Sequence, residues 1–127
     1  MQTVLGFDFG LKRIGVAVGN SVIRQAQPLT TIAAATNDAK FAEIALLISE
    51  WRPAICVVGL PRHPDGSEHE MSARCRRFAN QLHGRFNVDI VLVDERYSSA
   101  VIPQKRGELI DAQAAAIILQ QYFDEHA

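Results

Sequence analysis

Residues 3–18 read TVLGFDFGLKRIGVAV and contain two apolar runs separated by a short polar segment. The first run, Thr3–Phe9, ends at Asp-Phe-Gly and is typical of a buried strand that stops at a turn. The second run, Ile14–Val18, is rich in β-branched residues, and the segment Gly10–Arg13 between them is short enough for a hairpin loop. The stretch therefore predicts an antiparallel pair of strands at the start of the chain.

The following segment predicts a third strand and then a helix. Val22–Ile32 is expected to be a third antiparallel strand, entered through a turn that contains Gly19. From Asp38 onwards, apolar residues recur every three or four positions, which indicates an amphipathic helix. Asn37 or Asp38 is the predicted N-cap of this helix, and Pro53 ends it.

Two further strands and two further helices are predicted after Pro53. Ala54–Leu60 and Val88–Val93 are continuous apolar runs, as expected for strands that are buried on both faces. Between them, Ser67–Glu70 fits a capping box at the start of a helix. The last helix is predicted over residues 109–123 or 111–123.

This order of elements predicts an α/β fold in a single domain spanning residues 1–127. Three antiparallel strands followed by two parallel strands would form a mixed five-stranded sheet flanked by helices, because crossover connections are right-handed. The 48% hydrophobic and 21% charged residues are ordinary for a globular protein. No apolar run approaches the roughly 20 residues of a membrane span. We expect a soluble cytoplasmic protein, without membrane partners, in which Cys56 and Cys75 are buried reduced thiols.

The overall charge gives no sign of a polyanionic ligand, since the formal net charge is −1. A nucleic-acid site would therefore need a local patch of basic side chains. Arg74 and Arg77 share one stripe of the predicted second helix, and other basic residues fall in loops at or near the strand ends. An ordinary solvated surface is the alternative interpretation. The candidate substrate-binding residues are Lys12, Arg13, Arg62, Arg74, Arg77, Arg96, Ser98, Ser99, Lys105 and Arg106.

Acidic residues stand at three element ends. Asp8 ends the first strand, Asp94 and Glu95 end the last, and Asp111 opens the final helix. Singly, these residues could be a turn former, a solvated strand end and a helix N-cap. Together, Asp8, Asp111 and one of the neighbours Asp94 and Glu95 suit Mg²⁺ or Mn²⁺. Metal held there could promote hydrolysis of a phosphodiester.

Short motifs along the whole chain resemble those of the YqgF family. The matching segments are Gly6–Gly10 with Arg13–Ala17, Val58–Pro61 with Asp65–Ser67, Asp94–Arg96 with Ser98–Ser99, and Asp111 with Ala114 and Ala115. The resemblance implies a ribonuclease-H-like domain, related to Holliday-junction resolvases, in which Asp8, Glu95 and Asp111 are catalytic and hold the metal, with Asp94 a weaker ligand candidate. It also implies a nuclease that matures the 5′ end of pre-16S ribosomal RNA. One departure is the abrupt segment 100–107, where the family usually has a longer helix and basic loop.

These observations favour a metal-dependent endonuclease acting on a ribosomal RNA precursor, with the ribosomal subunit as a further partner. A Holliday-junction resolvase acting on branched DNA is the close alternative, and a homodimer rather than a monomer would favour it. A non-catalytic nucleic-acid-binding ribosome-assembly factor is a third interpretation. The segment Asp8–Gly10 also resembles the phosphate loop of actin-like kinases, but that fold needs a duplicated domain that 127 residues cannot provide.

Overall fold

The computed structural model describes residues 2–33, 36–61, 71–95 and 108–126. At position 95 and at positions 108–110, only the backbone is described. The strands are β1 (Thr3–Phe9), β2 (Arg13–Asn20), β3 (Gln27–Ala33), β4 (Ile55–Pro61) and β5 (Asp89–Glu95). The helices are α1 (Asn37–Trp51), α2 (Ser72–Phe86) and α3 (Glu108–Glu125).

The five strands form one sheet in the order β3-β2-β1-β4-β5. β1 pairs antiparallel with β2, and β2 pairs antiparallel with β3. β4 lies parallel to β1, and β5 lies parallel to β4. The predicted mixed α/β sheet, with three antiparallel strands followed by two parallel ones, is confirmed. The parallel strands β1, β4 and β5 all end at one edge of the sheet, which we call the carboxyl edge.

Helices cover both faces of the sheet. On one face, α1 and α2 pack over a core that is centred on Phe78, whose ring lies 5.8 Å from that of Phe7 and 4.8 Å from that of Phe9. On the other face, α3 buries Ile118, Leu119 and other apolar residues against the strands. The alternation of β1 therefore directs Leu5 and Phe7 towards one helical layer and Val4 and Gly6 towards the other.

α3 lies unusually close to the sheet because glycines face it. A Cβ atom on Gly6 would lie 2.8 Å from Cβ of Leu119, and one on Gly15 would overlap the backbone carbonyl of Asp111. Ala115 is fully buried in the same interface. Small side chains on both surfaces allow this approach, as the alanines after Asp111 in the sequence predict.

β3 begins later than predicted. The expected strand from Val22 was wrong over its first residues, because the side chain of Asn20 forms a turn there. Its Oδ1 accepts hydrogen bonds from the backbone N–H groups of Val22 at 3.0 Å and Ile23 at 2.8 Å. Arg24 follows with a φ of 56°, and the ladder with β2 is established only from Gln27.

The termini of α1 also differ in detail from the prediction. Thr36, rather than Asn37 or Asp38, is the N-cap, because its Oγ1 accepts from the N–H of Ala39 at 3.1 Å. The helix ends at Trp51, and Arg52 adopts a left-handed conformation immediately before Pro53. α1 thus starts at the carboxyl edge, shortly after β3 ends.

α2 is described from Ser72, whose hydroxyl donates to the carbonyl oxygen of Pro61 at 2.7 Å and ties the helix start to the end of β4. The predicted capping box at Ser67–Glu70 lies outside the described residues. Cys56 and Cys75 are buried and free, as predicted. Among the described helices, none is both long and apolar enough to span a bilayer.

Candidate active site

Asp8 lies on the α3 face of the sheet, at the carboxyl edge. It is half-buried and pairs directly with Gly15 of β2. Directly opposed residues of an antiparallel pair project from the same face, and Gly15 faces α3. Gly6, two positions earlier in β1, also faces α3. The side chain of Asp8 therefore projects towards the beginning of α3.

Asp111 is the fourth residue of α3, so the alternative that it forms the N-cap was wrong. Its backbone packs against Gly15, the β2 partner of Asp8. Its side chain is 22% exposed. The fold thus brings Asp8 and Asp111 to the same face and the same edge, although they lie far apart in sequence.

Arg13 contacts Asp111 directly, with 3.0 Å between Nε and Oδ2. That separation is an ion-pair distance, but the geometry is not that of a hydrogen bond. The same Oδ2 is buried and accepts no hydrogen bond from any residue that the structure describes. The contact between Arg13 and Asp111 is therefore coulombic. The attraction is weak, because the Arg13 side chain is 53% exposed and its charge is well solvated.

A divalent cation fits this arrangement. Mg²⁺ and Mn²⁺ prefer carboxylate oxygens, and a buried carboxylate oxygen that accepts no hydrogen bond and has only the coulombic contact with Arg13 is an available ligand. Asp8 and Asp111 supply hard oxygen donors on one face. No cluster of three or more potential ligands occurs among the side chains that the structure describes, a set that does not include the side chain of Glu95.

Asp94 and Glu95 are the last two residues of β5. Asp94 pairs with Leu60 and is exposed, and it follows Val93, which is buried against α3. Because neighbouring strand residues project to opposite faces, Asp94 lies on the face of α1 and α2, away from Asp8. Its carbonyl accepts from Nε2 of Gln121 at 2.7 Å, which ties the end of β5 to α3. The backbone at position 95 pairs with Pro61 at the carboxyl edge.

The predicted substrate-binding residues fall in three places. Lys12 is exposed in the turn before β2, and Arg13 belongs to β2 itself rather than to a loop. Arg74 and Arg77 lie on α2 and are exposed. The remaining candidates lie outside the described residues: Arg62, Arg96, Ser98, Ser99, Lys105 and Arg106.

A pocket of about 300 Å³ opens between α1, α2 and the end of β1. We call it the cationic pocket, because Lys40, Arg74 and Arg77 line it together with Asn37, Gln81 and Gly10. The predicted stripe on α2 thus faces a concave site. The pocket lies on the face of α1 and α2, whereas Asp8 and Asp111 lie on the opposite face of the same edge.

Lys40 is the functional candidate that sequence reasoning missed. Its Nζ lies 4.9 Å from the ring centre of Phe41, 5.4 Å from that of Phe9 and 5.9 Å from that of Phe78, so the ammonium is held against aromatic faces. Burial first, and then the positive charges of Arg85 and Arg77, lower the pKa of Lys40. No pattern in α1 singles out this lysine, since only the packing of α1 on α2 places it beside Arg77.

The beginnings of the helices add to the positive potential at the carboxyl edge. α1 begins just after β3, α2 is tied to the end of β4, and the first turns of α3 contact β2 beside Asp8. Helix N-termini carry partial positive charge and unsatisfied N–H groups, which favour anions. This edge therefore combines carboxylates on one face with a field that attracts phosphate.

Sequence comparison identifies the family of this chain. The RuvX family, described as Holliday junction resolvase, matches residues 2–125. The chain belongs to the RuvX family. This membership confirms the resemblance to the YqgF family, which is the same family under another name.

RuvX relatives with close sequence similarity are provisionally named pre-16S rRNA nucleases. The relative from Polynucleobacter necessarius is 53% identical over 126 residues, covering 97% of this chain and 85% of its own. The relative from Ralstonia pickettii is 52% identical over 128 residues, covering 98% of this chain and 89% of its own. The alignment with a Burkholderia ambifaria relative spans 133 positions, more than the 127 residues of this chain, so some segment is shorter here.

Solved structures confirm the ribonuclease-H-like resolvase fold of this RuvX chain. RuvC of Thermus thermophilus in complex with a Holliday junction substrate superposes with a TM-score of 0.61 at 14% identity, covering 98% of this chain and 95% of the other. Fowlpox virus resolvase with Holliday junction DNA superposes with a TM-score of 0.60 at 10% identity, covering 98% of each chain. At these identities, the likeness concerns the fold alone.

Proposed function

We propose that this protein is a metal-dependent endonuclease that cleaves a precursor of 16S ribosomal RNA near its mature 5′ end. The observation that carries the proposal is the placement of Asp8 and Asp111 on one face of the carboxyl edge, where a buried oxygen of Asp111 contacts Arg13 but accepts no hydrogen bond from a described residue. The names of relatives about half identical to this chain support the RNA substrate. An RNA precursor as substrate implies a cytoplasmic protein that meets the ribosomal subunit.

In this proposal, Asp8, Glu95 and Asp111 hold Mg²⁺ or Mn²⁺ through carboxylate oxygens. When bound, the metal supplies Lewis acidity at the scissile phosphate. Glu95 is preferred over Asp94, because Asp94 lies on the opposite face of β5 from α3. Asp94 instead fixes the strand end through its carbonyl contact with Gln121.

The protein's own residues prepare the site. Arg13 offsets the repulsion between Asp8 and Asp111, since like charges on one face repel each other and Arg13 lies against Asp111. The close contact of Gly15 with the backbone of Asp111 fixes the position of that carboxylate relative to β1. The predicted substrate-binding residues then bind the phosphates of the substrate: Lys12, Arg13, Arg62, Arg74, Arg77, Arg96, Ser98, Ser99, Lys105 and Arg106.

The test is cleavage of a precursor RNA that spans the mature 5′ end, with Mg²⁺ or Mn²⁺ added. Wild type should cut, whereas Asp8→Asn should lose activity because one metal ligand is neutralised. Asp89→Asn is the matched control, since Asp89 is exposed at the start of β5, at the opposite edge of the sheet. No cleavage by wild type, or full activity of Asp8→Asn, contradicts an enzymatic function and favours a binding role in ribosome assembly.

Branched DNA is the second candidate substrate, because the matched family is described as Holliday junction resolvase. A four-way junction should therefore be assayed beside the RNA under the same conditions. Faster cleavage of the junction than of the RNA, together with symmetric cuts by a homodimer, would assign the site to DNA.

A further inference from the structure

We propose that the cationic pocket of Lys40, Arg74 and Arg77 is a phosphate-binding subsite that holds a single-stranded nucleic-acid segment across the carboxyl edge from Asp8. The inference rests on the proposed function, because it takes the ligand to be a segment of the nucleic acid that is cut. It adds a defined pocket in which Arg74 and Arg77 act together, and a residue, Lys40, that the sequence did not indicate.

The charge of the pocket is the first reason. Three cationic side chains line it, and no carboxylate stands among its described lining residues. Like charges that converge in this way repel, and the positive charges of Arg77 and Arg85 act on Lys40. A bound anion would remove that repulsion. Asn37 and Gln81 in the lining add amide donors that neutral ligands and phosphates can both use.

The rigidity of Lys40 is the second reason. Most surface lysines are mobile, but this ammonium lies over the rings of Phe9, Phe41 and Phe78. Phe41 and Phe78 belong to the buried core and Phe9 packs against it, so the charge is positioned before a ligand arrives. Fixed donors lose less conformational freedom on binding than mobile ones do.

The location of the pocket is the third reason. Gly10 lines it and follows Asp8 by two residues, so the pocket and the carboxylate face lie about 7 Å apart along the backbone. A strand that passes over the end of β1 can place one phosphate near Asp8 and another in the pocket. A volume of about 300 Å³ accommodates a phosphate with part of its nucleotide.

Binding without cleavage tests the proposal. Fluorescence anisotropy in EDTA measures the affinity for a labelled single-stranded RNA on the order of 12 nucleotides. The measurement is repeated between about 50 and 200 mM salt. Lys40→Gln and Arg77→Gln should each raise Kd severalfold and reduce the slope of log K against log salt by about 0.7, the loss of one single-strand phosphate contact. Arg76→Gln is the matched control, because Arg76 lies on the same helix but lines a different cavity.

Thermal unfolding of each variant checks that the fold is intact. Since Lys40 packs on core rings, the exposed Arg74→Gln serves as a second variant that should change the slope without affecting stability. A 5′-phosphorylated and a 5′-hydroxyl RNA distinguish the two sources of phosphate. An effect of Lys40→Gln on both indicates a backbone phosphate, and an effect on the first alone indicates a terminal one.

Two results would overturn the proposal. In the first, Lys40→Gln and Arg74→Gln bind RNA with the same affinity and the same salt slope as Arg76→Gln. In the second, neither RNA binds at the lowest salt. If only the endonuclease proposal fails, wild type does not cleave RNA, but the pocket variants still change the slope of log K against log salt. If cleavage depends on Asp8 but the salt slopes of the pocket variants are unchanged, the endonuclease proposal holds and the phosphate-binding role of the cationic pocket is rejected.

Discussion

Gly15 packs directly against the backbone of Asp111, and this contact fixes where α3 meets the sheet. Gly15 is also the β2 partner of Asp8, so one glycine connects the two carboxylates. A side chain at position 15 would separate them. The geometry of the candidate metal site therefore depends on a residue that has no functional group of its own.

Gly15→Ala should destabilise the protein strongly. The new Cβ would overlap backbone atoms of α3, which cannot rotate away as a side chain can. We expect the free energy of unfolding to fall by about 3 kcal/mol, as for severe overpacking. Urea denaturation measures the change. Gly84→Ala is the control, because a Cβ at that position of α2 meets no atom within 4 Å. It should stabilise the helix by about 0.5–1 kcal/mol. Equal stability of the two variants would contradict the close approach of α3.

Thr36→Ala tests the N-terminus of α1. Loss of the hydroxyl that accepts from the N–H of Ala39 should lower the free energy of unfolding by about 1 kcal/mol. Asn37→Ala should change it by less than about 0.5 kcal/mol, since Asn37 is already inside the helix. A larger effect of Asn37→Ala than of Thr36→Ala would contradict Thr36 as the N-cap and favour the predicted Asn37.

The sequence predicted the sheet well, because strands that are buried on both faces appear as continuous apolar runs. Ile55–Pro61 and Asp89–Glu95 coincide closely with continuous apolar runs, and their parallel pairing follows from right-handed crossovers. The beginning of β3 was not predictable in the same way. There, two hydrogen bonds that the side-chain oxygen of Asn20 accepts override the strand tendency of Val22 and Ile23.

The sequence indicated candidate carboxylates only at the ends of strands and helices. Asp8 stands out because an acid ends an apolar strand. The ion pair of Arg13 with Asp111 and the position of Lys40 over Phe78 depend on tertiary packing, which joins residues that are distant in sequence. The spacing of apolar residues along a helix predicts which face is buried, but not which polar residues come into contact beside that face.

Cys56 should make stability fall at high pH. Burial raises the pKa of its thiol from the ordinary value of 9.0 to about 12. Below pH 9 the thiol is neutral in both states and the contribution is constant. Between pH 9 and 12 the unfolded thiol ionises while the folded one does not, so wild type loses up to about 1.4 kcal/mol per pH unit relative to Cys56→Ala. Denaturant titrations of both proteins from pH 8 upwards measure the difference, and parallel pH profiles would contradict it.

Arg13→Gln should make the protein more dependent on metal. The substitution removes the contact of Arg13 with Asp111. Because that arginine is half-exposed, the free energy of unfolding without metal should fall by at most about 1 kcal/mol. Added Mn²⁺ should then raise Tm more in Arg13→Gln than in wild type, since the cation replaces the missing charge. Lys12→Gln, the neighbouring exposed residue, is the control. An equal shift of Tm by Mn²⁺ in all three proteins would show that Arg13 does not act on the site.

We expect Asp8 and Asp111 to share one divalent cation site. Calorimetric titration with Mn²⁺ measures binding to this site without any assumption about the substrate. Asp8→Asn and Asp111→Asn should each weaken binding about tenfold or more, while Asp89→Asn should bind as wild type does. Unchanged Mn²⁺ affinity in both Asp8→Asn and Asp111→Asn would contradict the claim.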